Sequence, residues 1–154
     1  MAQVKSVSEL NKLKVRLFVE AVLNEGQLEL IDDLVAVDYI GHISCVGTVV
    51  AGPQGVRQLV SSRRQAHPGL HVKIEDLFAE DDRVVTRWRA TATGPGTRSV
   101  GAAARQASCC AGISIIRLLA GKQVDARTQC TNLTSQPAAG RRDPSGLPCN
   151  DCRQ

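Results

Sequence analysis

The chain has 154 residues, of which 43% are apolar and 22% are charged, so size and composition predict a single globular domain. A net charge of +4 and a total of one Trp, one Tyr and two Phe argue against nucleic-acid binding, which usually needs a concentrated basic face and aromatic stacking platforms. No apolar run approaches the roughly 20 residues of a membrane span, and the N-terminus lacks the apolar core of a signal peptide. We therefore predict a cytoplasmic protein with neither nucleic acid nor membrane as a partner.

The first part of the chain has the periodicity of two helices separated by a glycine. Ser6 and Glu9 can form a capping box, and the apolar residues that follow recur at three- and four-residue spacing. Gly26 ends this helix, because glycine readily takes a left-handed conformation. A second, shorter apolar stripe precedes Tyr39 and His42. The first stripe consists of Leu10, Leu13, Leu17, Phe18, Ala21 and Val22, and the second of Leu28, Ile31, Leu34 and Val35.

The middle of the chain reads as one further helix followed by strands. Residues 43–50 form a short strand or extended loop, and the turn at 52–55 starts a helix that runs to Arg64. From Leu70 the apolar period changes to two, which indicates strands. Helices followed by an antiparallel meander are typical of the α+β class. Strands are predicted over 70–78, 83–93, 108–118 and 123–133, with a loop rich in Gly and Ala over 97–106.

The composition shifts after Thr134. Residues 134–154 are rich in Pro, Gly and charge and have almost no apolar periodicity, as is typical of disordered segments. We predict one folded domain over residues 1–133 and a disordered tail over 134–154 that is dispensable for folding.

Six cysteines stand at positions 45, 109, 110, 130, 149 and 152. Cytoplasmic proteins keep their cysteines reduced, so we expect thiols rather than disulfides. Cys149 and Cys152 form a single CxxC motif. A zinc site normally needs a second pair of ligands, so no metal site is predicted.

Several short motifs carry a resemblance to a known family. They are Phe18-Val19-Glu20, Asn24-Glu25-Gly26, Ile31-Asp32-Asp33-Leu34-Val35, Asp38-Tyr39 with His42, Gly52-Pro53-Gln54-Gly55-Val56, Gly112-Ile113-Ser114-Ile115-Ile116-Arg117 and Gly121-Lys122. Their order and spacing, over roughly residues 10 to 133, resemble the SnoaL-like polyketide cyclases, part of the superfamily similar to nuclear transport factor 2. No single motif is specific to this family, but the order and spacing of the motifs together are.

The resemblance implies an α+β fold, a cone-shaped α+β barrel in which N-terminal helices pack in a curved, mostly antiparallel sheet around an internal pocket. It implies an aromatic polyketide as the small-molecule substrate and no cofactor. It also implies a homo-oligomer, a dimer or a tetramer, formed through the open face of the sheet.

The resemblance also identifies candidate site residues. Relatives carry a catalytic aspartate near the end of the last strand, where this chain has Thr131, and a tryptophan where it has Arg127. A threonine cannot exchange a proton near neutral pH as a carboxylate can, which leaves His42 as the best candidate base and Arg127 as a stabiliser of an anion. Predicted catalytic residues are thus His42, Arg127 and Thr131, and predicted pocket residues are Tyr39, Leu59, Trp88, Ile115, Gln129 and Asn132.

Three functional hypotheses follow from these residues. The first is a cofactor-independent cyclase of aromatic polyketide biosynthesis, of the anthracycline antibiotic type, that closes a ring by intramolecular aldol chemistry. The second is a hydroxylase of an aromatic polyketide ring on the same fold, acting with a partner reductase; the missing aspartate favours this branch. The third is a binding or assembly protein without chemistry.

Overall fold

A computed structural model describes residues 6–93 and 107–131, with side chains for all of these except 93 and 107–109. The predicted tail, the candidate Asn132 and the loop predicted over 97–106 lie outside the described residues. The helices are α1 (Val7–Leu17), which continues as a π-helix (Phe18–Asn24), α2 (Ile31–Leu34) and α3 (Gly52–Ala66), with 3₁₀ turns at Leu28–Leu30 and Ser44–Val46. The strands are β1 (Val35–Ile43), β2 (Thr48–Ala51), β3 (His71–Glu80), β4 (Arg83–Thr93), β5 (Ala107–Leu119) and β6 (Lys122–Cys130).

The strands form one curved, open sheet in the order β2-β1-β6-β5-β4-β3, with the helices packed against it. The β1–β6 pair is parallel and the other pairs are antiparallel. The predicted α+β fold with a mostly antiparallel sheet is therefore confirmed. The second predicted helix, however, lasts only from Ile31 to Leu34, and β1 begins at Val35, because the next residues include the β-branched Val35, Val37 and Ile40, which favour a strand.

The first helical segment, α1 with its π-helical continuation, begins and ends as predicted but packs on a different face. The Ser6 side chain accepts a hydrogen bond from the backbone N–H of Glu9, and Gly26 has a φ of +77°. The buried stripe runs through Asn11 and Val15 and continues in the π-helix. The predicted stripe was wrong for Leu10, Leu13 and Leu17, which are exposed. Asn11 donates a hydrogen bond to the carbonyl of Asp81 (3.2 Å), which joins the buried face of the helix to the β3–β4 hairpin.

Asn24 fastens the end of the first helical segment to the edge of the sheet. Its Nδ2 donates to the carbonyl of Val72 (2.9 Å), and its Oδ1 accepts from the backbone N–H of Val72 (2.7 Å). Strand β3 is an edge strand, so these two backbone groups lack a neighbouring strand and the amide satisfies both.

Strand β6 contains a β-bulge that reverses the alternation of its side chains. Leu118 pairs with Gln123, but Arg117 pairs with Asp125, which leaves Val124 as the extra residue. Gln123 and Ala126 both face the core as a result. A bulge moves every later side chain to the opposite face of its strand. It therefore reverses the simple alternation that would turn residue 125, and every second residue after it, toward the core.

A disulfide joins Cys45, just after β1, to Cys130 at the end of β6. The parallel pairing of Ile43 with Thr128 brings these ends together, and the two Cα atoms lie 5.5 Å apart. The expectation of thiols was therefore wrong for this pair, because the pairing of β1 with β6 could not be read from the sequence. Cys110 is buried, and its Sγ donates to the carbonyl of Thr131 (2.7 Å).

Candidate active site

The concave face of the sheet and the helices enclose a cavity of about 190 Å³, named here the first chamber. Its wall is mostly apolar and includes Val15, Phe18 and Val56 from the helices and Ile116 from β5. The prediction of an internal pocket is confirmed. Three of the predicted wall residues, Tyr39, Leu59 and Trp88, line it.

A second chamber of about 180 Å³ adjoins the first. The two share a wall that includes Leu59, Trp88 and Thr128. The second chamber alone is bordered by the Cys45–Cys130 disulfide and by Arg63 and Arg64 near the end of α3. Among the described residues, the predicted internal pocket is therefore divided into two adjoining chambers.

Two glycines leave room for the aromatic side chains of the cavity. A Cβ at Gly41 would collide with the ring and hydroxyl of Tyr39, and a Cβ at Gly112 would lie 2.5 Å from Cζ2 of Trp88. Gly112 pairs with Trp88 across β4 and β5. Glycine at these positions allows each ring to lie flat over the neighbouring backbone.

Polar side chains cross the floor of the first chamber on three adjacent strands. Trp88 Nε1 donates to Ser114 Oγ (3.0 Å), and Ser114 Oγ shares a hydrogen bond with Thr128 Oγ1 (2.9 Å). Buried polar groups of this kind normally satisfy one another. These three residues therefore fix the wall rather than offer free groups to a ligand.

Gln123 does not follow this pattern of mutual hydrogen bonding between buried polar groups. It is 3% exposed and borders the first chamber. Its Nε2 is buried and, within the described part of the chain, has no hydrogen-bond partner. Leaving a buried donor unpaired costs about 1–3 kcal/mol, so such groups are rare unless a ligand completes them. Sequence reasoning missed Gln123, because nothing in the pattern distinguishes it from the polar residues of an ordinary hairpin turn.

Tyr39 offers a second donor in the same chamber. The side chain is buried at 9% exposure, and burial, followed by the negative charge of Asp125, raises its pKa from 10.0 to about 12. The phenol thus stays protonated at neutral pH. Tyr39 can donate a hydrogen bond there, but it cannot serve as a base.

The ionisation of Tyr39 can be measured directly, because the chain contains one Tyr. Phenolate absorbance should rise with a midpoint near pH 12 in the folded protein, against 10.0 for an unburied tyrosine. Since the pKa of Tyr39 is higher in the folded than in the unfolded chain, the contribution of its protonated phenol to the unfolding free energy is complete below pH 10. This contribution is lost as the pH rises toward about 12. A Tyr39→Phe variant should lose this alkaline dependence of the unfolding free energy. A folded-state midpoint near pH 10 would contradict the burial of the phenol.

Three predicted site residues lie on the outer face of the sheet. Arg127 is exposed, and its nearest acidic partner is Asp125 (3.9 Å) on the same strand. Its neighbour Ile115 is also exposed, and Gln129 Nε2 donates to Ser44 Oγ (2.9 Å) at the surface. The prediction that these three line the pocket was wrong. The bulge at Val124 turns Arg127 and Gln129 outward, and Ile115 alternates on β5 with the buried Ser114 and Ile116.

The two remaining catalytic candidates lie at the margins of the cavities. His42 borders the first chamber, but its side chain is exposed on the same face of the sheet as its paired residues Val49 and Arg127. Thr131 is exposed at the edge of the second chamber, and its Oγ1 accepts from the backbone N–H of Ala111 (3.1 Å). Both residues are exposed, whereas Gln123 is buried.

The described residues bear on two of the expected absences. Within residues 6–93 and 107–131, no group of His, Cys, Asp and Glu side chains could hold a metal ion. In the same ranges no helix has the length and apolar character to cross a membrane.

A family model described as SnoaL-like polyketide cyclase matches residues 13–138 of this sequence. The chain belongs to this family. The sequence resemblance is thereby confirmed over most of the chain. Among curated proteins, none matches this sequence significantly.

Solved structures of the family have the same fold. A protein from Acidithiobacillus ferrooxidans assigned as a polyketide cyclase is 26% identical, with a TM-score of 0.67 over 84% of this chain and 93% of its own. IdmH from Streptomyces antibioticus, also assigned as a polyketide cyclase, is 20% identical, with a TM-score of 0.69 over 81% and 94%. AclR from Streptomyces galilaeus, assigned as a hydroxylase, is 21% identical, with a TM-score of 0.63 over 80% and 79%.

Proposed function

We propose that this SnoaL-like protein is a cofactor-independent enzyme that closes a ring in an aromatic polyketide by intramolecular aldol chemistry. The observation that carries the proposal is an apolar chamber with two buried donors: Gln123 Nε2, which has no acceptor among the described residues, and the protonated hydroxyl of Tyr39. The family model supports chemistry of the cyclase type. An aromatic polyketide of an antibiotic pathway of the anthracycline type is the substrate class that we propose.

The two donors suit the charge that develops in an aldol closure. A base removes a proton from a carbon between two carbonyls, and the resulting enolate carbon attacks a third carbonyl of the same molecule. One carbon–carbon bond forms, and the new alkoxide takes up a proton, so no oxidant or reductant is needed. Donors fixed in an apolar site stabilise such an oxyanion strongly, because no water competes with them.

We propose His42 as the base, since it is the one histidine among the described residues that border the first chamber, and histidine is the usual general base of enzymes. Its ring would have to turn from the exposed face toward the chamber in the complex with substrate. His42→Ala should then lower turnover by about a hundredfold, the usual scale for a lost general base. The acidic limb of the pH–rate profile should disappear with it. His71→Ala, an exposed histidine on β3, is the matched control. Equal turnover in the wild type and the His42 variant would remove this role and leave the donor pair to be tested separately.

Hydroxylation is the second candidate, and it is favoured by the missing carboxylate: within the described residues, neither chamber is lined by an Asp or a Glu. This reaction would require molecular oxygen, and a partner reductase would have to supply the electrons. Product mass separates the two reactions, because ring closure adds no atoms and hydroxylation adds one oxygen.

Thr131→Asp should preserve or raise ring closure and give no gain in hydroxylation. A protein that binds the polyketide and returns it unchanged would be a binding or assembly protein.

We further propose that the protein acts in the cytoplasm as a homo-oligomer, a dimer or a tetramer, formed through the outer face of its sheet. Phe78 (61% exposed), Ile113 (50%) and Ile115 (47%) present apolar surface on this sheet. Apolar side chains grouped on a sheet face are typical of protein interfaces. This proposal gives Ile115 a place in an interface instead of the pocket.

A further inference from the structure

Arg63 occupies an unusual position on α3. The face of this helix that packs on the cavity follows the spacing of Val56, Leu59 and Val60, and Arg63 continues that spacing by one turn. An arginine on the opposite face would be a solvated charge. On this face it borders the second chamber among apolar side chains.

The neighbouring arginine has a different environment. Arg64 Nη1 donates to the carbonyls of Leu23 (3.0 Å) and Asn24 (2.6 Å), at the end of the first helical segment. Its guanidinium is therefore occupied in capping that helix. Across the described residues, no side chain or carbonyl accepts a hydrogen bond from the Arg63 guanidinium, and no carboxylate lines the second chamber.

We propose that Arg63 binds a carboxylate substituent of the substrate in the second chamber. The inference rests on the proposed function, since the ring that closes would occupy the first chamber. The planar guanidinium can donate two parallel hydrogen bonds to a carboxylate. Apolar walls around the pair weaken screening by water and strengthen the attraction. The protein would therefore select polyketides that carry a free acid on the part of the molecule distant from the reacting carbonyl.

The single tryptophan makes the test direct. Trp88 lines both chambers, and the chain contains one Trp, so quenching of its fluorescence reports ligand binding at the site. The probes are anthraquinone-2-carboxylate and its methyl ester, an aromatic pair that differs in charge. The wild-type protein should bind the acid roughly tenfold more tightly than the ester, as expected for one charge-assisted contact.

Substitution of Arg63 should change this preference and little else. Arg63→Gln should weaken binding of the acid roughly tenfold and leave binding of the ester unchanged, and Arg63→Lys should retain part of the preference. Arg16→Gln, an exposed arginine on α1, makes the same change in net charge and should leave the preference intact. Thermal denaturation of each variant shows whether it is folded.

Three results would overturn the inference. They are equal binding of acid and ester by the wild type, equal loss of both in Arg63→Gln, and failure of the acid to quench Trp88. The proposed ring closure is tested separately, because turnover of an uncharged polyketide does not depend on Arg63. If the wild type shows no preference for the acid but turns over the polyketide, this inference alone is removed, and if it prefers the acid but shows no turnover, the proposed function alone is removed.

Discussion

Gln123→Met should lower turnover of the polyketide substrate by about a hundredfold while the protein keeps or gains stability. Methionine has nearly the shape of glutamine but no amide. The variant therefore loses the donor proposed for the enolate oxygen, and removing one such donor costs on the order of 10²–10³ in turnover. It also removes a buried N–H that has no partner among the described residues. Replacing such a group with an apolar one of similar shape is neutral or stabilising.

The two measurements together distinguish a functional amide from a structural one. Turnover and the midpoint of thermal unfolding should change in opposite directions, as expected where a site keeps an unsatisfied group for its ligand. Gln58→Met makes the same substitution at an exposed position of α3 and should change neither quantity appreciably. If Gln123→Met instead destabilises the fold and spares turnover, the amide has a structural partner and the proposed donor role is wrong.

Loss of the Cys45–Cys130 disulfide should lower the unfolding free energy by about 2–4 kcal/mol. The bond closes a long loop, with a sequence separation of 85 residues, and closing long loops restricts the unfolded chain most. For a domain of this size we expect the midpoint of thermal unfolding to fall by roughly 10 °C. A reducing agent should lower the midpoint of the wild type to that of the Cys45→Ser, Cys130→Ser double variant.

A comparison of single and double variants identifies the bond itself. If the two sulfurs are bonded, Cys45→Ser, Cys130→Ser and the double variant should be destabilised by similar amounts, because either change breaks the same bond. Two independent thiols would instead give additive effects. Additive effects, together with no response to the reducing agent, would contradict the disulfide. Alkylation of thiols in fresh cell extract then tests the cytoplasmic location, where cysteines are normally reduced.

The local pattern of the sequence determined most of the helices and strands. The capping box at Ser6, the left-handed glycine at Gly26 and the change of apolar period near Leu70 depend on interactions between near neighbours, and these are written directly into the sequence. The alternation of side chains on β4 is regular: Val84, Thr86 and Ala90 are buried, and Trp88, a predicted pocket residue, lines the cavity. This strand has no bulge in its pairing with β5.

The tertiary structure decided which polar groups form the site. One extra residue at Val124 exchanges the two faces of β6, which places Arg127 outside and leaves Gln123 and Thr128 at the cavity. The disulfide likewise depends on the parallel pairing of β1 with β6. Bulges and pairings between distant strands depend on how the whole sheet closes. A periodic pattern within one strand therefore predicts that two residues share a face, but the assembled sheet determines which face is turned inward.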